Sequence, residues 1–117
     1  MSEANKAILE QANAAITAGD HEGFLAHCTD DTVWTFVGDM TIRGKDELRR
    51  WMAEAYKEPP RFDVQRMIAD GDSVAALGEI TMTDDDGNDT RFSYCDVWRI
   101  RDGKLAELEA YVIEKSD

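Results

Sequence analysis

The second half of the chain is cut by three turn signals, Asp70-Gly71-Asp72, Asp84 to Gly87 and Asp102-Gly103, into runs whose apolar and polar residues alternate. Glycine and aspartate tolerate the positive φ that a tight reversal needs, so runs joined this closely lie side by side and antiparallel. The segments "RFDVQRMIADG", "DSVAALGEITMTDDDG", "DTRFSYCDVWRIR" and "KLAELEAYVIE" therefore predict a meander of long strands. In "FSYCDVWRIR" the period of two puts Phe92, Tyr94, Asp96, Trp98 and Ile100 on one face and Ser93, Cys95, Val97, Arg99 and Arg101 on the other. A carboxylate, Asp96, thus stands in an otherwise apolar row. On the last run Leu108, Ala110 and Val112 face inward, while Glu107, Glu109 and Tyr111 face outward.

A sheet with one apolar face must bury it, and the first half of the chain supplies the cover. From Glu3 to Thr17, Ala4, Ile8, Leu9, Ala12, Ala15 and Ile16 recur at helical spacing, and Gly19 ends that helix. Asp20 is a good N-cap for a shorter helix with Phe24, Leu25 and Cys28 on its inner side. "TDDTVWTFVGD" predicts a strand with Trp34 and Phe36 inward, closed by Gly38. In "IRGKDELRRWMAEAY", Leu48, Trp51, Met52, Ala55 and Tyr56 form a third helical stripe, which Pro59 and Pro60 forbid from continuing. The order predicts an α+β fold, a cone-shaped, strongly curved antiparallel sheet wrapped around three N-terminal helices, with residues 1–117 as one domain. Such a cone leaves a mostly apolar pocket. Its candidate ligand-binding residues are Trp34, Phe36, Trp51, Met52, Tyr56, Tyr94, Trp98, Leu108 and Ala110, although taken singly each is also a natural core residue.

With 117 residues, of which 43% are hydrophobic and 32% charged, the chain suits a single globular core. A formal net charge of −12 opposes binding to nucleic acid, which needs Lys and Arg to displace counterions, and no run approaches the ~20 apolar residues of a membrane span. The start "MSEANKAILE" lacks a basic and then apolar leader, so a cytoplasmic location is expected, with Cys28 and Cys95 as reduced thiols. His21 and His27 fit no metal-ligand spacing with either cysteine, "TDDDGND" lacks the closing glutamate of a calcium loop, and there is no phosphate loop, so neither metal nor cofactor is expected.

Four segments, "AGDHEGFLAHCTDDTVW", "IRGKDELRRWM", "ADGDSVAAL" and "VWRIRDGKLAELEAYV", resemble in order and spacing the nuclear transport factor 2-like superfamily, and within it the SnoaL-like and ketosteroid isomerase-like proteins. The resemblance covers nearly the whole chain. It implies the cone fold, homodimers built through the outer face of the sheet, and functions ranging from isomerase, cyclase, hydrolase and dehydratase to no chemistry. For a dimer, the outward residues Cys95, Val97, Ala106 and Tyr111 offer an apolar patch. Against ketosteroid isomerase-like sites, the general-base aspartate matches Thr35, the oxyanion-donating tyrosine matches Ala12, and a second tyrosine matches Met52. The protonated aspartic acid of the oxyanion hole matches Asp96, with the following hairpin one residue shorter. The resemblance therefore implies something other than a standard ketosteroid isomerase.

Asp96 is the candidate catalytic residue. Among Tyr94, Trp98 and the third-helix aromatics it would be desolvated and its pKa raised, at a cost of several kcal/mol that only a function or an ion pair would offset. Arg43, Arg91 and Arg99 are the arginines considered for such a pair, with Arg99 projecting to the opposite face of the strand. If functional, Asp96 donates a hydrogen bond to a ligand carbonyl when protonated and accepts a proton when ionised. The expectation is a small hydrophobic, carbonyl-bearing ligand with cofactor-independent acid–base chemistry of isomerase, cyclase, hydratase or hydrolase type. The alternative is a non-catalytic ligand-binding or protein-interaction module.

Overall fold

In the computed structural model, which describes residues 2–115, α1 (Ser2–Thr17) ends in two hydrogen bonds that hand the chain to the next helix. The N–H of Gly19 donates to the carbonyl of Ile16 at 2.9 Å, and that of Asp20 to Ala15 at 2.8 Å. Gly19 takes the left-handed φ of +79° that this closure requires. Asp20 then caps α2 (His21–Leu25), its carboxylate accepting from the N–H of Gly23 at 2.9 Å. Leu9, Ala12 and Ile16 of α1, with Phe24 and Leu25 of α2, are buried against the sheet.

The strands are β1 (Cys28–Phe36), β2 (Met40–Arg43), β3 (Arg61–Asp70), β4 (Ser73–Thr83), β5 (Asp89–Arg101) and β6 (Lys104–Glu114), and α3 (Lys45–Ala55) lies between β2 and β3. They form one unclosed, curved sheet in the order β2-β1-β6-β5-β4-β3. The predicted meander is present as β3 to β6, and its last turn has positive φ at both Asp102 and Gly103, the geometry that matches the twist of paired strands.

The sheet differs from the expected antiparallel one in a single pairing, since β1 and β6 run parallel. The chain passes through α3 from one edge of the sheet to the other, so the meander starts at the far edge and its last strand arrives beside β1. The short strand β2 was not expected either. Gly38, at φ +84°, reverses the chain so that Met40 pairs with Phe36. Cys28, placed from the sequence on α2, begins β1 and is fully buried.

Cross-strand rows show how the inner face is built. Ala69, Val74, Trp98, Leu108, Trp34 and Ile42 lie in one row, and Met67, Ala76, Asp96, Ala110, Phe36 and Met40 lie in the next. Phe24 closes the first row from the helical side, its ring meeting Trp34 edge-on at 5.5 Å and Trp98 at 6.4 Å. Ala106, assigned above to the outer patch, is 2% exposed where the β5–β6 register shifts, and it is therefore unavailable to a partner. Among the described residues no helix is long and apolar enough to cross a membrane.

Candidate functional site

The inner face of the sheet, with α1 and α3, encloses a cavity of about 330 Å³, within the range of small-molecule sites. Strand β5 supplies its central stripe. Phe92, Tyr94, Asp96 and Trp98 all line the cavity, as their period of two requires. Beta1 contributes Trp34 and Phe36, and β6 contributes Leu108 and Ala110. From α3 comes Trp51, and Tyr56 follows at the C-cap. Met52 is fully buried and packs in the core without reaching the cavity wall, because it lies on the face of α3 turned into the helix–sheet interface.

The rings pack in two groups. Trp34 meets Trp98 at 5.6 Å and Trp51 at 5.9 Å, Trp51 meets Phe36 at 5.2 Å and Tyr56 at 5.1 Å, and Phe62 of β3 meets Tyr94 at 6.1 Å. All of these pairs are edge-to-face except the tilted Phe36–Trp51 contact, and such geometry favours a fixed ring arrangement.

Asp96 stands where the cavity wall has its smallest side chains. Its cross-strand partners are Ala76 on β4 and Ala110 on β6, so methyl groups flank it across the sheet while Tyr94 and Trp98 flank it along the strand. Ala110 leaves room above the carboxyl group, which is half-buried beside the rings and has lost much of its hydration. Burial alone pushes its pKa up to about 7, since a carboxylate loses hydration there without gaining a cation. None of the arginines considered as a partner pairs with Asp96 among the described residues: Arg43, Arg91 and Arg99 are all exposed, and desolvation is the one cause acting on Asp96.

The polar groups around Asp96 are held in their neutral forms. Burial, and secondarily the charge of Asp96, raises the pKa of Tyr56 well above the phenol range, and burial with the charges of Asp96 and Asp63 pushes Tyr94 up to about 12. The hydroxyl of Tyr94 and the indole Nε1 of Trp34 are buried without a hydrogen-bond partner. An unpaired buried donor costs about 1–3 kcal/mol, so a ligand oxygen that accepted from either would recover that cost. Near neutral pH the site offers O–H and N–H donors together with a carboxyl group poised between its two protonation states.

The remaining positions of the ketosteroid isomerase comparison are out of reach. Thr35 turns to the opposite face of β1 and borders a separate groove with Val97 and Glu109, while Ala12 is fully buried in the core. Conversely, Asn13, Phe62, Ile80, Met82 and Asp39 also stand on the wall, beyond the residues expected there. Asn13 carried a signal, since Leu9, Asn13 and Ile16 share the i, i+4, i+7 stripe of α1. So did Phe62, which completes the row Phe62, Ile80 and Phe92. Asp39 carried none, because it sits in a reversal that has no periodicity.

The family model of a SnoaL-like domain matches residues 9–108. No curated protein matches the chain. Among solved structures, the chain is similar to an LEH-like epoxide hydrolase of M. tuberculosis, with a TM-score of 0.86 and 20% identity over 95% of this chain and 84% of that one. It is also similar to an epoxide hydrolase/cyclase-like enzyme of pyran ring formation in the polyether salinomycin, at TM-score 0.85 and 19% identity over 92% and 89%. An NTF2-like protein of unknown function from Burkholderia pseudomallei aligns at TM-score 0.84 and 22% identity over 95% and 91%. Identities this low speak for the fold, which by itself selects no reaction.

Proposed function

We propose that this chain, which belongs to the SnoaL-like domain family, binds a small hydrophobic, carbonyl-bearing molecule in its cone and that Asp96 acts on it by acid–base chemistry without a cofactor. The observation that carries this reading is the unpaired carboxyl group of Asp96, desolvated between Ala76 and Ala110 and facing a cavity walled by aromatic rings. Protonated, it donates to a ligand oxygen and stabilises negative charge developing there. Ionised, it takes a proton from carbon or from water. Tyr56 and Tyr94, kept neutral, orient the same oxygen or share its charge. Isomerisation, cyclisation, and addition or removal of water all fall within this repertoire. The mechanism differs from that of a standard ketosteroid isomerase, because Thr35, Ala12 and Met52 stand at the other functional positions.

Those same substitutions favour a second reading, in which the cone binds a ligand and performs no reaction. Both readings require occupancy of the cavity. All three tryptophans of the chain line it, so their fluorescence is expected to report 2-acetylnaphthalene as a saturable quench. Ala110→Leu, which fills the space above Asp96, is expected to weaken that binding at least ~10-fold while costing about 1–3 kcal/mol of stability. Unchanged affinity in a folded Ala110→Leu protein would rule out the cone as the site.

The proposal includes a homodimer through the outer face, where Tyr111 is 43% exposed beside half-buried Cys95 and Val97. Light scattering at micromolar concentration is expected to give twice the 13.2 kDa chain mass, and the monomer mass would refute it.

A further inference from the structure

The wall of the cone is one-sided in charge. Among the described residues its ionisable side chains are Asp39, Asp96, Tyr56 and Tyr94, and neither lysine, arginine nor histidine lines it. Asp96 lies inside, whereas Asp39 is exposed on the Val37–Asp39 reversal that joins β1 to β2.

That reversal is fixed in place. The N–H of Val37 donates to the carbonyl of Ala110 at 3.0 Å and that of Asp39 to Phe36 at 2.9 Å. Since Ala110 is also the cross-strand neighbour of Asp96, the turn and the inner carboxyl group share one support on β6. Among the described residues no side chain pairs with the Asp39 carboxylate. Beside it stand cavity-lining apolar residues that remain open to solvent: Val37 at 46%, Met40 at 41% and Val112 at 43%. A rim that is apolar, anionic and unpaired suits the outer end of a ligand whose body fills the cone. Low-dielectric walls focus the field of a charge placed at such an opening.

Resting on the reading of the cone as a ligand site, we propose that Asp39 selects ligands by charge at the mouth. The ligand class is then a carbonyl-bearing hydrophobe whose outer end carries a basic nitrogen, and carboxylated or phosphorylated analogues are rejected. An ammonium at the rim gains the attraction of Asp39 without having to leave water, and a carboxylate there meets repulsion that no cation among the described lining residues offsets.

The test uses 2-acetylnaphthalenes that differ in a short tail at position 6, ending in an ammonium, an alcohol or a carboxylate, titrated by tryptophan quenching. At low ionic strength the ammonium-tailed ketone is expected to bind about tenfold more tightly than the carboxylate-tailed one, with the alcohol between them, and added salt should compress the series. Asp39→Lys should reverse the order. The same charge change at Asp86→Lys, in the exposed β4–β5 loop away from the cavity, should preserve it, which separates a local effect from the net charge of −12. Equal affinity for the three tails, or an order that survives Asp39→Lys, would overturn the selector. Where the selector is overturned in this way but the alcohol-tailed ketone still binds and is weakened by Ala110→Leu, the selector alone has failed. Should none of the three bind, both proposals fall.

Discussion

Replacing Asp96 with asparagine is expected to stabilise the folded chain at pH 8 and to change it little at pH 4. The physical reason is proton linkage. The folded-state pKa is about 7 against an ordinary value of 3.8, so the folded state holds the proton more tightly than the unfolded state. Below pH ~4 both states are protonated and Asp96 carries no charge penalty. Between pH ~4 and ~7 the unfolded chain ionises first, so stability declines as pH rises, and above pH ~7 the loss is complete at about 4 kcal/mol. Against a typical total of ~5–15 kcal/mol this is a large share. Asparagine keeps the shape and an N–H donor but cannot ionise, so urea unfolding should show the variant more stable by about 2–4 kcal/mol at pH 8. A variant less stable than the parent at pH 8 would mean that the carboxylate is paired and structural.

The same variant separates the two readings of the cone. Because asparagine can still donate to a carbonyl but cannot transfer a proton, ketone affinity is expected to change only a few-fold. Any turnover should fall by roughly 10²–10⁴. Retained binding with no turnover in either protein would favour the non-catalytic module.

Phe24→Ala is expected to be the most damaging single truncation at the closed end of the cone. Phe24 is fully buried and packs edge-on against both Trp34 and Trp98. Removing a buried phenyl ring costs about 3–5 kcal/mol, because lost transfer energy adds to the cavity left behind. Chemical denaturation should show this loss, and the tryptophan emission should shift as Trp34 and Trp98 lose their support. A loss under about 1 kcal/mol would mean that the closed end collapses onto the void, and that the rings are not held as rigidly as their packing indicates.

How far the sequence reached depends on the element. The β5 stripe was legible because alternation over Phe92 to Ile100 has no other regular solution, and the structure keeps Tyr94 and Trp98 buried and Arg99 exposed on that pattern. The caps around Asp20 were legible because capping involves residues within one helical turn. Beta2 was not, since its four residues, Met40–Arg43, are too few for a period and precede a strong helix signal. The helical spacing of Met52 marks an inner stripe, and so an expected pocket residue. That stripe does not distinguish the side turned to packed side chains from the side turned to the cavity.

By itself, then, the sequence determined the local periods, the caps and turns, the helices followed by a meander, and the presence of a carboxyl group in an apolar row. Tertiary structure alone decided that β6 meets β1 in parallel, that Asp96 lies between two alanines rather than beside an arginine, that Thr35 turns away, and that Asp39 stands at the mouth. The reason is one of range. A period records how a residue's own backbone orients it, whereas a cavity is enclosed by elements far apart in the chain, and their register sets which side chains share a space and which groups lose water.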